Sequence, residues 1–219
     1  MTNQSTTSKT AQDTESNDSG SIADQTIAEF LGALCSKAPT PGGGAVAGLT
    51  LATAASTAGM VLHYTLGKKK YAQHESSNAL TLNALVEARQ FFLDAADKDA
   101  SGYSELNALW SLAKDDPERV ARWDSAVQGA IAPPISMLDQ SIVIMRTISK
   151  LIHTTNTQLR SDLAVSAIMC KAGARAAACN IRVNAPLLPS DQQQPVLDHT
   201  QTVLDEIDRL SDHTQRECR

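Results

Sequence analysis

Aromatic side chains are scarce in this chain: they make up 4% of it, against 42% hydrophobic residues overall. A core short of Phe, Tyr and Trp must be built from Ala, Leu, Ile and Val. That mix suits closely packed helices, whereas a β-sandwich draws on aromatic and β-branched residues. Cysteine pairs are missing too. Cys35, Cys170, Cys179 and Cys218 form neither a CxxC pair nor a zinc spacing, so the expectation is a cytoplasmic protein with reduced, inert thiols. His63, His74, His153, His199 and His213 include no i, i+4 pair and no HExxH. GxSxG, Walker A and GxGxxG patterns are also absent, and neither a metal nor a covalent intermediate is expected. A net charge of -5 speaks against a nucleic-acid partner, which needs a basic surface. No charged stretch precedes an apolar run at the N-terminus, so a secretory signal is not expected.

Charge itself is absent from residues 45–66, a run close to the roughly 20 residues that cross a bilayer. Thr50, Thr53, Ser56, Thr57, His63 and Thr65 make it a poor lipid-facing helix, however. Small residues at Ala47, Gly48, Ala52, Ala55 and Gly59 suit tight packing against other helices. The expectation is a buried central helix and no membrane contact.

What is present begins just before that run. Pro39-Thr40-Pro41-Gly42-Gly43-Gly44 fixes an entry conformation and then bares the backbone as a helix starts. The first N–H groups of a helix have no partner within it and can hold an anion or a carbonyl. The run closes on Leu66-Gly67-Lys68-Lys69-Lys70-Tyr71, a cationic cluster that is either solvated surface or a landing site for carboxylates. Together the two ends suggest an extended, partly anionic small molecule.

Residues 1–20 carry almost no apolar side chains and are expected to be a disordered polar tail, with a single helical domain over 21–219. Ile27, Phe30, Leu31 and Leu34 have helical spacing. A second helix is predicted over 43–66 and a third over about 76–113. A fourth, opened by Asp115-Asp116-Pro117, runs to about Ile152 with a kink at Pro133-Pro134. Ser161 or Asp162 caps a fifth through Ile181, and a sixth spans about 191–216. The fold class is all-α: a bundle of about six helices, two of them long. Long helices with Ala- and Leu-rich faces suggest a symmetric partner.

Three polar clusters are candidates for chemistry. In Asp94-Ala-Ala-Asp97-Lys98-Asp99-Ala-Ser-Gly-Tyr103, a turn of about 100° per residue sends Asp97 and Asp99 to different sides, while Asp99 and Tyr103 share a face. Any one of these carboxylates can be plain surface. Asp99 is the better candidate for a proton carrier, since partial burial raises a carboxyl pKa toward neutrality. Asn156-Thr-Gln-Leu-Arg160-Ser161-Asp162 reads locally as a polar loop and helix cap. Asn180-Ile-Arg182-Val-Asn184 places two amides four apart, where each pairs with backbone or reads a polar heterocycle.

As a set these residues resemble the cyclodeaminase/cyclohydrolase family, which comprises the C-terminal domain of formiminotransferase-cyclodeaminase and free-standing bacterial methenyltetrahydrofolate cyclohydrolases. The matching residues are Pro41-Gly42-Gly43-Gly44, Leu66 through Tyr71, Asp97-x-Asp99 with Tyr103, Ser161-Asp162, and Asn180-x-Arg182-x-Asn184, in family order from about Thr26 to Leu188. The resemblance implies a helical homodimer or higher oligomer that binds a reduced folate and needs no cofactor beyond it. It also implies that Asp99 is the acid/base. Gly42, Gly43, Gly44, Lys68, Lys69, Asp97, Tyr103, Ser161, Asp162, Asn180 and Asn184 would then bind or orient the substrate. The expected activities are hydrolysis of 5,10-methenyltetrahydrofolate to 10-formyltetrahydrofolate, cyclodeamination of 5-formiminotetrahydrofolate, or both. The alternative is a helical folate-binding or scaffold protein without catalysis.

Overall fold

The computed structural model describes residues 20–219, and every regular element in them is helical. The expected polar tail, apart from Gly20, lies outside the described residues. Six α-helices follow in order: α1 (Ile27–Leu34), α2 (Gly43–His63), α3 (Glu75–Trp110), α4 (Pro117–Leu151), α5 (Arg160–Asn184) and α6 (Ser190–Glu217). Short 3-10 turns precede α1, α3 and α5 and join α5 to α6.

Local chemistry sets the boundaries. Thr26 and Glu29 form a reciprocal capping box that starts α1: the Glu29 N–H donates to the Thr26 hydroxyl at 3.2 Å, and the Thr26 N–H donates to the Glu29 carboxylate at 2.7 Å. Only Phe30 of its apolar stripe is buried; Ile27 and Leu31 stay exposed. The helix beginning at Pro117 is capped as the sequence suggests, with the Glu118 N–H donating to the Asp116 carboxylate at 2.8 Å. At α5 the expectation needs correction. Asn156 caps the preceding 3-10 turn by accepting from the Gln158 N–H, and α5 begins at Arg160, so Ser161 and Asp162 lie in its first turn rather than at its cap.

The α2 helix is the centre of the bundle, packed between α3 and α5 with α4 behind it. It is long and apolar enough to cross a membrane, yet most of it is buried in the protein. Small residues permit the close approach. A side chain at Gly48 would strike the Phe92 carbonyl and Ala96 of α3, and one at Gly173 would strike Leu51 and the Ala47 carbonyl. The packing falls into two apolar clusters. The larger runs along α2 and the facing parts of α3 to α6, and includes Phe92, Met137, Met145 and Ile181. The smaller joins the end of α3 to the start of α4 through Leu106, Leu109, Val127 and Ile131.

Pro133 and Pro134 sit within α4, which runs without interruption from Pro117 to Leu151. Each proline removes the donor to a carbonyl four residues earlier. The carbonyl freed by Pro134 is that of Ala130, and the Asn184 side-chain amide donates to it at 3.0 Å. The one freed by Pro133 is that of Gly129, which packs against Gly102 of α3 so closely that any Cβ there would collide with it. Two helices thus close over the gap that the prolines leave.

Candidate active site

The α2 helix starts level with the seam between the two apolar clusters. Ala96 belongs to the larger and Leu106 to the smaller, and the residues of α3 between them include Asp99 and Gly102. Along α5 the same boundary falls between Ile181 and Ala185, beside Asn184. Polar groups therefore gather where hydrophobic packing is interrupted.

At that seam Asp99 lies directly over the start of α2. A methyl group on Gly44 would occupy the space of the Asp99 carboxylate, so only glycine leaves room for it there. Asn180 of α5 approaches from another side, with its side-chain atoms 3.5 Å from where a Cβ of Gly43 would stand. No side chain caps α2, whose first ladder bond runs from the Val46 N–H to the Gly42 carbonyl. The N–H groups of Gly43, Gly44 and Ala45 are therefore unused by the helix, and the positive end of its dipole points into the seam.

Asp99 is half-buried, and burial alone pushes its carboxyl up to about 6 from an ordinary value of 3.8. No cation or hydrogen-bond donor among the described residues enters that shift. Asn180 donates its amide to the Ala176 carbonyl at 3.0 Å, and its side-chain oxygen, near the head of α2, has no hydrogen bond to a described residue. The result is one carboxyl poised to carry a proton, backbone donors beside it, and an amide oxygen opposite.

The other sequence-selected residues are distributed unequally. Asp97, two positions from Asp99, turns to the outer side of α3. There it accepts from the Ser21 hydroxyl at 2.6 Å and the Ile22 N–H at 2.9 Å, anchoring the segment before α1. It lines an open cavity of about 530 Å³ with Thr40, Pro41, Ala100, Ser101 and Ser104, next to the start of α2. Tyr103 is exposed and makes no hydrogen bond to Asp99. Asn184 lies near the seam, but its amide is committed to Ala130.

Lys68, Lys69, Ser161 and Asp162 are elsewhere. The 21 residues of α2 separate Gly43 from His63, about 30 Å along the axis, and the lysines follow the far end. Gly67, at φ 75°, turns the chain there, and Lys68 and Lys69 are exposed. Tyr71 is buried beside them and its hydroxyl accepts from the Thr157 N–H at 3.1 Å, while the Thr65 hydroxyl accepts from the Asn156 N–H at 3.0 Å. Those bonds tie the lysine segment to the start of α5, which carries Ser161 and Asp162. One chain thus holds two polar groups at opposite ends of α2. Sequence reasoning missed the role of Asn184 as a substitute for a proline's lost donor. The signal was available: an Asn four residues beyond Asn180, and a Pro-Pro pair in a helix that needs a donor.

Known proteins resemble this chain in sequence and in fold. Residues 26–200 match the formiminotransferase-cyclodeaminase family. A methenyltetrahydrofolate cyclohydrolase from Methylorubrum extorquens is 30% identical over 165 residues, covering 74% of this chain and 79% of that protein. A formimidoyltransferase-cyclodeaminase from Mus musculus is 25% identical over 175 residues, covering 78% of this chain but 32% of that larger protein. The crystal structure of formiminotetrahydrofolate cyclodeaminase from Thermotoga maritima superposes with a TM-score of 0.81, covering 90% of this chain and 96% of that one at 23% identity. At that identity the superposition speaks for the fold. The chain belongs to the formiminotransferase-cyclodeaminase family.

Proposed function

We propose that the chain is a folate one-carbon enzyme that acts on the bridging or formimino carbon of a tetrahydrofolate, with Asp99 as its proton carrier. The observation that supports this best is the placement of Asp99 over Gly44: a carboxyl with a pKa near 6, beside the unused N–H groups of α2. A group that is partly ionised near neutral pH can both accept and return a proton within one turnover.

In the hydrolysis of 5,10-methenyltetrahydrofolate, the substrate is a cation. The Asp99 carboxylate stabilises it and takes a proton as water bonds to the bridging carbon. The carbon–N5 bond then breaks, N5 receives a proton from Asp99, and the carbinol oxygen loses its own to become the formyl carbonyl. One proton is released overall, matching the lost positive charge. In cyclodeamination, N10 attacks the carbon of the formimino group in its protonated amidinium form, and Asp99 moves the N10 proton to the departing nitrogen, which leaves as ammonia while the positive charge stays on the methenyl product. The N–H groups at the start of α2 and the Asn180 oxygen hold the heterocycle by its acceptors and donors. We favour the hydrolysis, since the named cyclohydrolase is matched over most of its length.

The assay pairs both substrates with the purified chain. Loss of the 5,10-methenyl chromophore reports hydrolysis, and ammonia release from the formimino substrate reports cyclodeamination. Asp99→Asn is expected to bind 5,10-methenyltetrahydrofolate and lose most turnover. Full activity in that variant would refute the role given to Asp99. Binding without turnover by the unmodified chain would favour the scaffold reading.

A further inference from the structure

We propose that Gly102 of α3 and Pro133 of α4 are positioning residues, which together set how far the Asp99 carboxyl stands from the start of α2. That Asp99 carries the proton rests on the proposed function; the contact between the two helices does not.

At the level of Asp99, α3 is held from two sides by contacts in which one partner has no side chain. Towards α2, Gly44 makes room for the carboxylate itself, and Gly48, one turn later, lets the Phe92 carbonyl and Ala96 approach. Towards α4, the buried Gly102 lies against the Gly129 carbonyl, and a Cβ on it would also stand 3.2 Å from the Ala130 nitrogen. Packed helix axes are about 8–10 Å apart, and the side chains between them set the distance. Where backbone meets backbone, no rotamer can change to absorb a shift. The separation of α3 from α4 is therefore fixed one turn away from Asp99.

Pro133 accounts for the carbonyl at that contact. An alanine at 133 would donate its N–H to the Gly129 carbonyl, whereas proline has no N–H and its ring crowds that oxygen. Released from the α4 ladder, the carbonyl lies against α3, where only a glycine leaves space for it. The neighbouring freed carbonyl, at Ala130, has its own donor in Asn184, so the two prolines are accommodated differently. The contact also has a direction. Three residues at about 100° each put Gly102 about 60° round the helix from Asp99. Ala100 and Ser104, nearly opposite Gly102 on α3, face the open cavity beside Thr40 and Pro41. A push from α4 at Gly102 therefore draws Asp99 back from Gly44 and slides it towards that open side, where nothing resists. A short side chain cannot follow, and a misplacement of about 1 Å at a reacting group can cost about 10²-fold in rate.

The test places a methyl group on either side of one contact. Gly102→Ala should lower kcat on the methenyl substrate at least about tenfold, with KM held within about threefold. Gly129→Ala should behave as the native chain, because a Cβ there meets only the Gly102 Cα, at an ordinary 4.0 Å. Equal losses in the two would reduce the contact to packing and overturn the proposal. Pro133→Ala returns the carbonyl to the α4 ladder and leaves a gap, so kcat should fall about threefold or more. In the double variant Gly102→Ala, Pro133→Ala the methyl fills that gap, and kcat should recover to within about threefold of native. Losses that simply multiply would overturn the joint role of the two residues.

Position is also read without turnover, by carbon-13 NMR titration of the Asp99 carboxyl. Its midpoint should lie below the native value of about 6 in Gly102→Ala and be unchanged in Gly129→Ala, since less burial means a smaller rise. No charged group of α2, α4 or α5 among the described residues contributes to that rise, so the titration follows burial. A native midpoint in Gly102→Ala overturns the proposal. If the midpoint moves and the native chain turns over neither folate, the functional reading fails while the positioning of Asp99 stands. Should Gly102→Ala not fold, Pro133→Ala carries the test, and native kcat in that variant overturns the proposal.

Discussion

Two sides of one helix, two residues apart, treat a carboxylate in opposite ways. On the outer side of α3, Asp97 is satisfied by a hydroxyl and a backbone N–H and serves to hold the segment before α1. On the inner side, Asp99 has neither hydrogen-bond partner nor counter-ion among the described residues and sits against a backbone cleared of side chains at Gly44. The first arrangement ties the carboxylate into the fold. The second raises the energy of the charged form, which is useful only if the proton is meant to move. Residue type is the same in both; environment decides the role.

The sharpest way to break this comparison is to remove the unpaired carboxyl. Asp99→Asn should lower kcat by about 10²–10⁴, measured on the methenyl substrate. Gly44→Ala tests the same site from the other side. Its methyl group would enter the space of the carboxylate and rotate Asp99 away, so a loss of at least about tenfold in kcat is expected in the same assay. Its stability should change much less, because the displaced atoms end a flexible side chain.

Stability sharpens the contrast. A carboxyl raised to about 6 binds its proton more tightly in the folded protein than in the unfolded chain. Between about pH 4 and 6 the folded state therefore holds more protons, and stability falls as pH rises. Above pH 6 the cost levels off at up to about 3 kcal/mol. Urea unfolding at pH 8 should find Asp99→Asn more stable than the native chain, with the difference vanishing below about pH 4. The smallest effect belongs to Asp97→Ala. Losing two hydrogen bonds should cost about 1–2 kcal/mol in the same unfolding experiment, with kcat changed by less than about threefold. A kcat collapse in Asp97→Ala would erase the distinction between the two sides.

Most of the fold was legible because its signals are local. The Asp116-Pro117 start, the stop before Pro39 and the Pro-rich break after Asn184 each act within a few residues. The separation of Asp97 from Asp99 was legible for the same reason, since helical rotation alone divides them. Other features depend on contacts between distant segments. Nothing near Ser161 shows that Asn156 has already capped the turn before it. Nothing near Lys68 shows that its neighbours fasten to Asn156 and Thr157, at the end of the bundle remote from Asp99. The exposure of Ile27 and Leu31, whose spacing reads as a buried stripe, likewise depends on what packs above them.

The bond from Asn184 to the Ala130 carbonyl makes two distant positions answerable to each other. Alanine at 184 strands a carbonyl that no helical donor can reach, whereas alanine at 134 returns the ladder donor and makes the amide redundant. A double-mutant cycle over these positions should therefore show strong thermodynamic coupling, with the second substitution rescuing the first. In a drifting lineage, the asparagine becomes free to vary only after the proline has gone.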